Sequence, residues 1–124
     1  MGLKVLIVDD SYIMRKVLQR SVSTSSSLDI DSFVEASDGA EAMDKMASDG
    51  PFSLIFSDVR MPNIGGIEFL RRLRASPYRG IPVIMVTGEG GERAVMEAIQ
   101  HGAKGFVMKP FTAAQVDAAI RNVL

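Results

Sequence analysis

Short apolar runs and helix-like stripes alternate five times along this chain, and this alternation constrains the fold more than any other feature. Bounded apolar runs are typical of buried strands, whereas apolar residues spaced three and four apart form one face of a helix. Strands that alternate with helices make right-handed crossovers and build a parallel sheet covered on both faces. Most of the runs are largely apolar, as strands buried on both faces are. The run at 30–36 is weaker and alternates, with Ile30, Ser32 and Val34 on one face and Phe33 on the other. The predicted strands cover residues 3–8, 30–36, 54–58, 82–87 and 104–108.

Each predicted helix between these strands has an apolar face directed toward the sheet, and two of the helices have recognisable end signals. Asp49-Gly50-Pro51 ends the second helix, because glycine and proline commonly follow a helix C-terminus. Thr112 begins the last helix with a capping box, because Gln115 stands three residues later. The predicted inner residues are Met14, Val17, Leu18 and Val22 in the first helix, Met43, Met46 and Ala47 in the second, Ile67, Leu70 and Leu73 in the third, Val95, Ala98 and Ile99 in the fourth, and Val116, Ala119, Ile120 and Val123 in the fifth.

Length and composition narrow the class of protein. The 124 residues suggest one domain over residues 1–124. A net charge of −1 produces no overall electrostatic attraction to nucleic acid or to an anionic membrane. No apolar run approaches the ~18 residues that a membrane span needs. Cysteine is absent, which rules out disulfides and thiolate metal sites and fits a cytoplasmic location.

Chemically useful side chains follow four of the five predicted strands. Asp9 and Asp10 follow the first strand, Asp58 ends the third, Thr87 ends the fourth, and Lys109 follows the fifth. The carboxyl ends of parallel strands share one edge, where the ligand and reaction sites of open α/β sheets lie. Three acids, a hydroxyl group and an ammonium group are therefore expected in one shallow site.

The predicted site suits a divalent cation and phosphoryl chemistry. Close carboxylates repel one another, so such a site favours protonation or a bound cation. Oxygen ligands without histidine or cysteine favour Mg²⁺. A carboxylate can accept a phosphoryl group as an aspartyl phosphate, and that transfer needs mainly positioning and charge neutralisation. We therefore predict a phosphoryl acceptor among the acids, with Lys109 neutralising charge and Thr87 bonding a phosphoryl oxygen.

Four motifs in this order and spacing match a known family. They are Asp9-Asp10, Asp58 with Met61-Pro62-Asn63, Thr87 with Glu89, and Lys109-Pro110-Phe111-Thr112-Ala113-Ala114. Over its whole length the chain resembles response-regulator receiver domains, in particular the single-domain chemotaxis type. The resemblance implies a flavodoxin-like (βα)5 doubly wound sandwich with strand order 2-1-3-4-5. It also implies a two-component signalling protein rather than an enzyme.

The resemblance gives each site residue a role. Asp58 would accept a phosphoryl group from a histidine kinase. Mg²⁺, or Mn²⁺ in its place, would be held directly by Asp10, largely through water by Asp9, and by Asp58 and the backbone carbonyl of Arg60. Lys109 would contact the phosphoryl group, and its bond to Pro110 would be cis.

The resemblance also implies a conformational switch. Thr87 would move to the phosphoryl group, and the aromatic ring of Phe106 would turn into the space that Thr87 leaves. A downstream target protein would bind a face built from the fourth helix, the fifth strand and the fifth helix. That expected face includes Val95, Phe106, Met108 and Phe111.

Several residues depart from the chemotaxis pattern. Position 106 is Phe rather than Tyr and offers no hydroxyl group to a partner. Arg60 stands where that type has Asn, and Gly65-Gly66 replaces an Asp-Gly turn. Arg60 and Glu89 each lie two residues beyond a site residue. We hypothesise that they pair across the mouth of the site and modestly slow the attack of water on the phosphorylated form.

Other readings stay open at this point. The chain could be a relay intermediate that passes its phosphoryl group to a second histidine protein, or a receiver cut from a longer regulator. A small Mg²⁺-dependent aspartyl-phosphate phosphatase is a third reading. Such enzymes need a second acid two residues after the nucleophile, where this chain has Arg60.

Overall fold

The five apolar runs form the strands of one parallel sheet. The computed structural model describes residues 2–24, 28–88 and 91–124. The strands are β1 (Leu3–Val8), β2 (Ile30–Ala36), β3 (Leu54–Asp58), β4 (Val83–Thr87) and β5 (Gly105–Met108). Their order in the sheet is β2-β1-β3-β4-β5, and every pairing is parallel. The predicted fold class and strand order are confirmed.

Five helices connect the strands. They are α1 (Tyr12–Ser23), α2 (Gly39–Asp49), α3 (Gly66–Arg74), α4 (Glu92–Gln100) and α5 (Ala113–Val123). Ser11, Asp38 and Thr112 cap α1, α2 and α5 through their side chains, and the predicted capping box of Thr112 and Gln115 is present. Among the described residues, no helix is both long enough and apolar enough to cross a membrane.

Alternate residues of the central strands face two separate cores. On one side of the sheet, Leu6 and Val8 of β1 pack in a core covered by α2, α3 and α4. On the other side, Val5 and Ile7 pack in a core covered by α1 and α5. All four side chains are fully buried, and each Å² of apolar surface removed from water contributes about 25 cal/mol. The two cores thereby hold the sheet and its carboxyl edge in place.

Three of the predicted inner residues lie at the surface. Val17 is 41% exposed and Ile99 53% exposed, and Ala47 is also exposed. The helices α1, α2 and α4 contact the sheet through a narrower stripe than predicted. In α4 the small residue Ala98 is fully buried, and a helix turns about 100° per residue. The larger Ile99 is therefore directed away from the sheet.

The start of β2 also differs from the prediction. Strict alternation places Ile30 with Val34 on one face and Phe33 on the other. In the structure, Ile30 and Phe33 pack against one core and Val34 against the opposite core. The cause is an irregularity in the register with β1, where Leu3 pairs with Ile30 but Lys4 pairs with Ser32. Asp31 is the extra residue, and an extra residue reverses the alternation.

Candidate functional site

The strand ends bring all five predicted side chains to one edge of the sheet. β3 pairs with β1 on one side and β4 on the other, and β5 lies beyond β4. Asp9 is 1% exposed, Thr87 5% and Asp58 8%, while Asp10 is exposed and Lys109 half-buried. The site is thus an opening onto solvent with two nearly buried acids at its base.

Asp58 is held by its own strand end and by Lys109. Its Oδ1 accepts a hydrogen bond of 2.8 Å from the backbone N–H of Val59, and its Oδ2 lies 3.3 Å from Lys109 Nζ. The backbone N–H of Lys109 donates to the carbonyl of Thr87 at 2.7 Å, and the Lys109–Pro110 bond is cis. One oxygen of Asp58 is thereby oriented by the backbone, and the other faces a cation.

Asp9 is the more deeply buried acid, and Lys109 reaches it too. Its Oδ1 accepts a hydrogen bond of 2.8 Å from the backbone N–H of Ser11, and its Oδ2 lies 3.5 Å from Lys109 Nζ. Burial raises the pKa of Asp9, the hydrogen bond from Ser11 opposes this rise, and the nearby charge of Asp58 adds to it. The ammonium group therefore bridges two carboxylates that would otherwise repel each other.

The acids form a set of ligands that suits a hard divalent cation. Asp9, Asp10 and Asp58 each offer a carboxylate oxygen, and these oxygens lie within 4.8 Å of one another. The set contains oxygen only, which favours Mg²⁺ or Mn²⁺ over zinc. Asp9 and Asp58 are two nearly buried carboxylates close to each other, so a bound cation would relieve their repulsion. Exposed Asp10 leaves one side open to water. The residues present therefore fit a magnesium ion.

A cavity of about 260 Å³ opens beside the acids. It is lined by Asp58, Arg60, Thr87, Gly88 and Lys109. Two cationic side chains and a hydroxyl group next to a carboxylate are suited to an oxyanion such as a phosphoryl group. Arg60 is exposed at the mouth. Glu89 lies outside the described residues, so its pairing with Arg60 stays a prediction.

Arg15, Lys16 and Glu35 form a cluster of ion pairs next to the backbone of Asp9. No sequence motif indicated this cluster. Arg15 on α1 donates from Nη1 to the carbonyl of Asp9 at 2.7 Å and from Nε to Glu35 at 2.8 Å. Lys16 also contacts Glu35, at 2.7 Å. Burial acts to raise the pKa of Glu35, but hydrogen bonds led by those from Lys16 and Arg15 lower it to about 2. The signal that could have found this link is the pairing of β1 with β2, which places Ile7 opposite Glu35.

The start of α3 packs directly on the backbone of Asp58. A Cβ atom at Gly66 would lie 2.2 Å from the carbonyl oxygen of Asp58 and 3.0 Å from Val59 Cα. The N–H of Gly66 donates to the carbonyl of Val59 at 2.9 Å. Only glycine allows this approach, which gives the Gly65-Gly66 pair of the sequence a structural reason.

The residues expected on the partner face divide between surface and interior. Phe106 is 48% exposed, and Met108 and Phe111 are half-buried. Val95 is only 7% exposed, which agrees with its predicted place on the inner side of the fourth helix and contradicts its expected place on the partner face. It lies three residues before Ala98 and shares that residue's inward face. The exposed apolar residues of α4 are instead Met96 and Ile99.

Comparison with known proteins identifies the family. The model of the response regulator receiver domain matches residues 5–121. A chemotaxis protein CheY homolog of Campylobacter jejuni is 34% identical over 98% of this chain and 92% of that protein. Chemotaxis protein CheY1 of Helicobacter pylori is 33% identical over 89% of this chain and 87% of that protein. The structure of chemotaxis response regulator CheY4 of Vibrio cholerae superposes with a TM-score of 0.85 at 32% identity, covering both chains completely. The chain therefore belongs to the response regulator receiver domain family and resembles its chemotaxis members.

Proposed function

We propose that Asp58 accepts a phosphoryl group from a phosphohistidine of a histidine kinase. The observation that carries this proposal is the placement of Asp58 Oδ2 3.3 Å from Lys109 Nζ, beside two further acids and an open cavity. The P–N bond breaks and a P–O bond to Asp58 forms. The histidine nitrogen keeps the electron pair of the broken bond, and the departing imidazole takes up a proton from water.

This chain's own residues position and neutralise the transferring group. Lys109 faces the developing charge, Thr87 supplies a hydroxyl group, and Arg60 adds positive charge at the mouth. Asp9, Asp10, Asp58 and the backbone carbonyl of Arg60 would hold Mg²⁺ or Mn²⁺. When bound, the cation neutralises charge on the phosphoryl oxygens.

Phosphorylation would then change a surface that a target protein reads. Thr87 moves to the phosphoryl oxygen and Phe106 turns inward from its exposed position. A groove of about 320 Å³ lies between α4, β5 and α5 and is bordered by Ile99, Phe106 and Ala119. Inward rotation of Phe106 would reshape this groove, and a chemotaxis target is the partner that the relatives favour.

The proposal treats residues 1–124 as one receiver module in the cytoplasm. The family match over residues 5–121 and the absence of cysteine support this reading. The module assists its own phosphorylation and dephosphorylation but turns over no separate substrate. Arg60 stands where a phosphatase of this chemistry needs an acid.

Intact mass spectrometry after incubation with acetyl phosphate and Mg²⁺ tests the chemistry. We expect one phosphoryl adduct on the unmodified protein, and none on Asp58→Asn or with EDTA present. Circular dichroism establishes that the variant is folded. An adduct that persists in Asp58→Asn would contradict the assignment, as would its absence from the unmodified protein at every time sampled.

A further inference from the structure

Gly91 precedes α4 and packs against the side chain of Thr87. A Cβ atom at Gly91 would lie 2.2 Å from Thr87 Oγ1, 2.9 Å from Thr87 Cγ2 and 2.9 Å from the carbonyl oxygen of Gly88. Side-chain carbons do not approach other heavy atoms so closely without displacing them. Gly91 and Thr87 are both buried. The side chain of Thr87 therefore fills the space that a side chain at position 91 would need.

Space, rather than backbone conformation, explains the glycine at position 91. Its φ of −88° and ψ of 2° are values that residues other than glycine also adopt, as at the third position of type I turns. Ser, Thr, Asp or Asn at an N-cap usually bonds a free N–H of the first helical turn, as Ser11, Asp38 and Thr112 do elsewhere in this chain. Gly91 makes no such bond. The start of α4 lacks a cap at the point where its backbone touches Thr87.

The hydroxyl group of Thr87 does not form a hydrogen bond to Asp58 in this conformation. Among the described residues, the side chain of Asp58 bonds to the Val59 N–H and to Lys109. Thr87 lines the cavity next to Asp58, but its Oγ1 lies against Gly91. The contact with Gly91 thus defines where Thr87 rests.

We propose that Gly91 is a positioning residue whose bare backbone provides the resting position of the Thr87 side chain. This inference rests on the proposed function, in which Thr87 moves to a phosphoryl group on Asp58. A methyl group at position 91 would meet the carbonyl oxygen of Gly88 wherever Thr87 lies, but it would meet the Thr87 side chain only in the resting position. The contact with Thr87 therefore penalises the resting position alone. A change that destabilises only the resting state favours the phosphorylated state by the same factor.

Binding of Mg²⁺ and beryllofluoride, a stable phosphoryl analogue, measures this factor by titration calorimetry. We expect Gly91→Ala to bind the analogue about tenfold more tightly than the unmodified protein, because overpacking by one methyl group has costs of this size. Gly80→Ala is the control, since a Cβ atom at Gly80 meets nothing within 4 Å. In a Thr87→Ala background the effect of Gly91→Ala on binding should vanish, because the remaining contact with the Gly88 carbonyl is common to the free and the bound protein.

Damage to the fold alone would weaken the binding of the analogue, so the expected sign separates positioning from structural harm. Equal or weaker binding by Gly91→Ala than by Gly80→Ala overturns the inference. Failure of the unmodified protein to bind the analogue overturns the proposed function and this inference together.

Nuclear magnetic resonance of the unmodified protein gives a second test that needs no variant. An Overhauser contact between the Thr87 methyl group and the Gly91 α protons should be present in the free protein and lost on saturation with Mg²⁺ and beryllofluoride. A contact that survives saturation shows that Thr87 never leaves Gly91, which contradicts the inference.

Discussion

The helices α3 and α4 both begin beside a glycine that touches the candidate site, but the two glycines touch different kinds of atom. A Cβ atom at Gly66 would lie 2.2 Å from the backbone oxygen of Asp58, and one at Gly91 would lie 2.2 Å from the hydroxyl oxygen of Thr87. A backbone oxygen in a central strand is fixed, whereas a side-chain oxygen can rotate. The first contact fixes the backbone of Asp58, whereas the second allows the side chain of Thr87 to move.

The two helices also differ in how many large side chains they bury. α3 buries the large side chains of Phe69, Leu70 and Leu73, whereas α4 buries Val95 and the small Ala98. α4 leaves Met96 67% exposed and Ile99 53% exposed. Elements with few buried apolar contacts open and shift most easily. We therefore expect α3 to belong to a fixed frame and α4 to the part of the molecule that responds.

Gly66→Ala is expected to have the largest effect, because it breaks the fixed contact. The new methyl group meets the Asp58 carbonyl, Met85 Cε at 2.9 Å and Val59 Cα at 3.0 Å. Overpacking of this kind costs about 1–3 kcal/mol, which urea denaturation would measure. If Gly66→Ala kept full stability and bound beryllofluoride more tightly, the start of α3 would be as responsive as the start of α4.

Arg15→Ala tests whether the frame extends to the metal site. Arg15 holds the carbonyl of Asp9 at 2.7 Å, and loss of groups that orient metal ligands typically weakens metal binding about 10-fold or more. We expect weaker Mg²⁺ binding in titration calorimetry. Arg71→Ala, which removes an exposed pair with Glu68, is the control. Equal Mg²⁺ affinity in the two variants would show that Arg15 does not orient Asp9 for metal binding.

Glu35→Gln gives a smaller effect with a defined pH dependence. The pKa of Glu35 is lowered from 4.5 to about 2 in the folded protein, so its ionised form stabilises the fold. That stability is present above the pKa of the unfolded chain, and it is lost as the pH falls through the folded value. The Glu35→Gln deficit in urea denaturation should therefore be constant above about pH 5 and shrink toward pH 2. A deficit that does not depend on pH would show that ionisation of Glu35 contributes nothing.

Glu68→Gln should have the smallest effect on stability. It tests whether the surface ion pairs of α3 contribute to fixing this helix. Glu68 pairs with Arg71 and Arg72 on the solvent side of the helix, with more than 40% of each side chain exposed. Exposed pairs contribute about 0–1 kcal/mol. We expect nearly unchanged urea denaturation and unchanged beryllofluoride binding. A loss as large as that of Gly66→Ala would mean that surface charge, rather than close packing, fixes α3.

The fold was predictable from the sequence because its strands are strongly patterned. β1, β3 and β4 are almost wholly apolar, and their ends carry Asp9, Asp58 and Thr87. Parallel pairing alone brings such ends to one edge. The strand order and the roles of the residues came from resemblance to a family, since periodicity does not determine which strands are neighbours.

Features that depend on the path of the chain were not predictable. The link from Arg15 through Glu35 to the Asp9 backbone requires knowledge that β1 and β2 are neighbours. The outward direction of Ile99 depends on how far α4 is rotated about its axis. The contact of Gly91 with Thr87 depends on the course of the loop between them, on which apolar spacing carries no information.

The irregularity at Asp31 also protects the protein against aggregation. The edge strands of an open sheet present unpaired backbone groups that can pair with another chain. Here β5 offers only four residues, and β2 carries Asp31, whose insertion disturbs the register, and charged Glu35. Short, charged or irregular lateral strands are poor templates for strand addition. The protein can therefore expose the apolar side chains of Met96 and Ile99 on α4 without an edge strand that would readily join two copies into a continuous sheet.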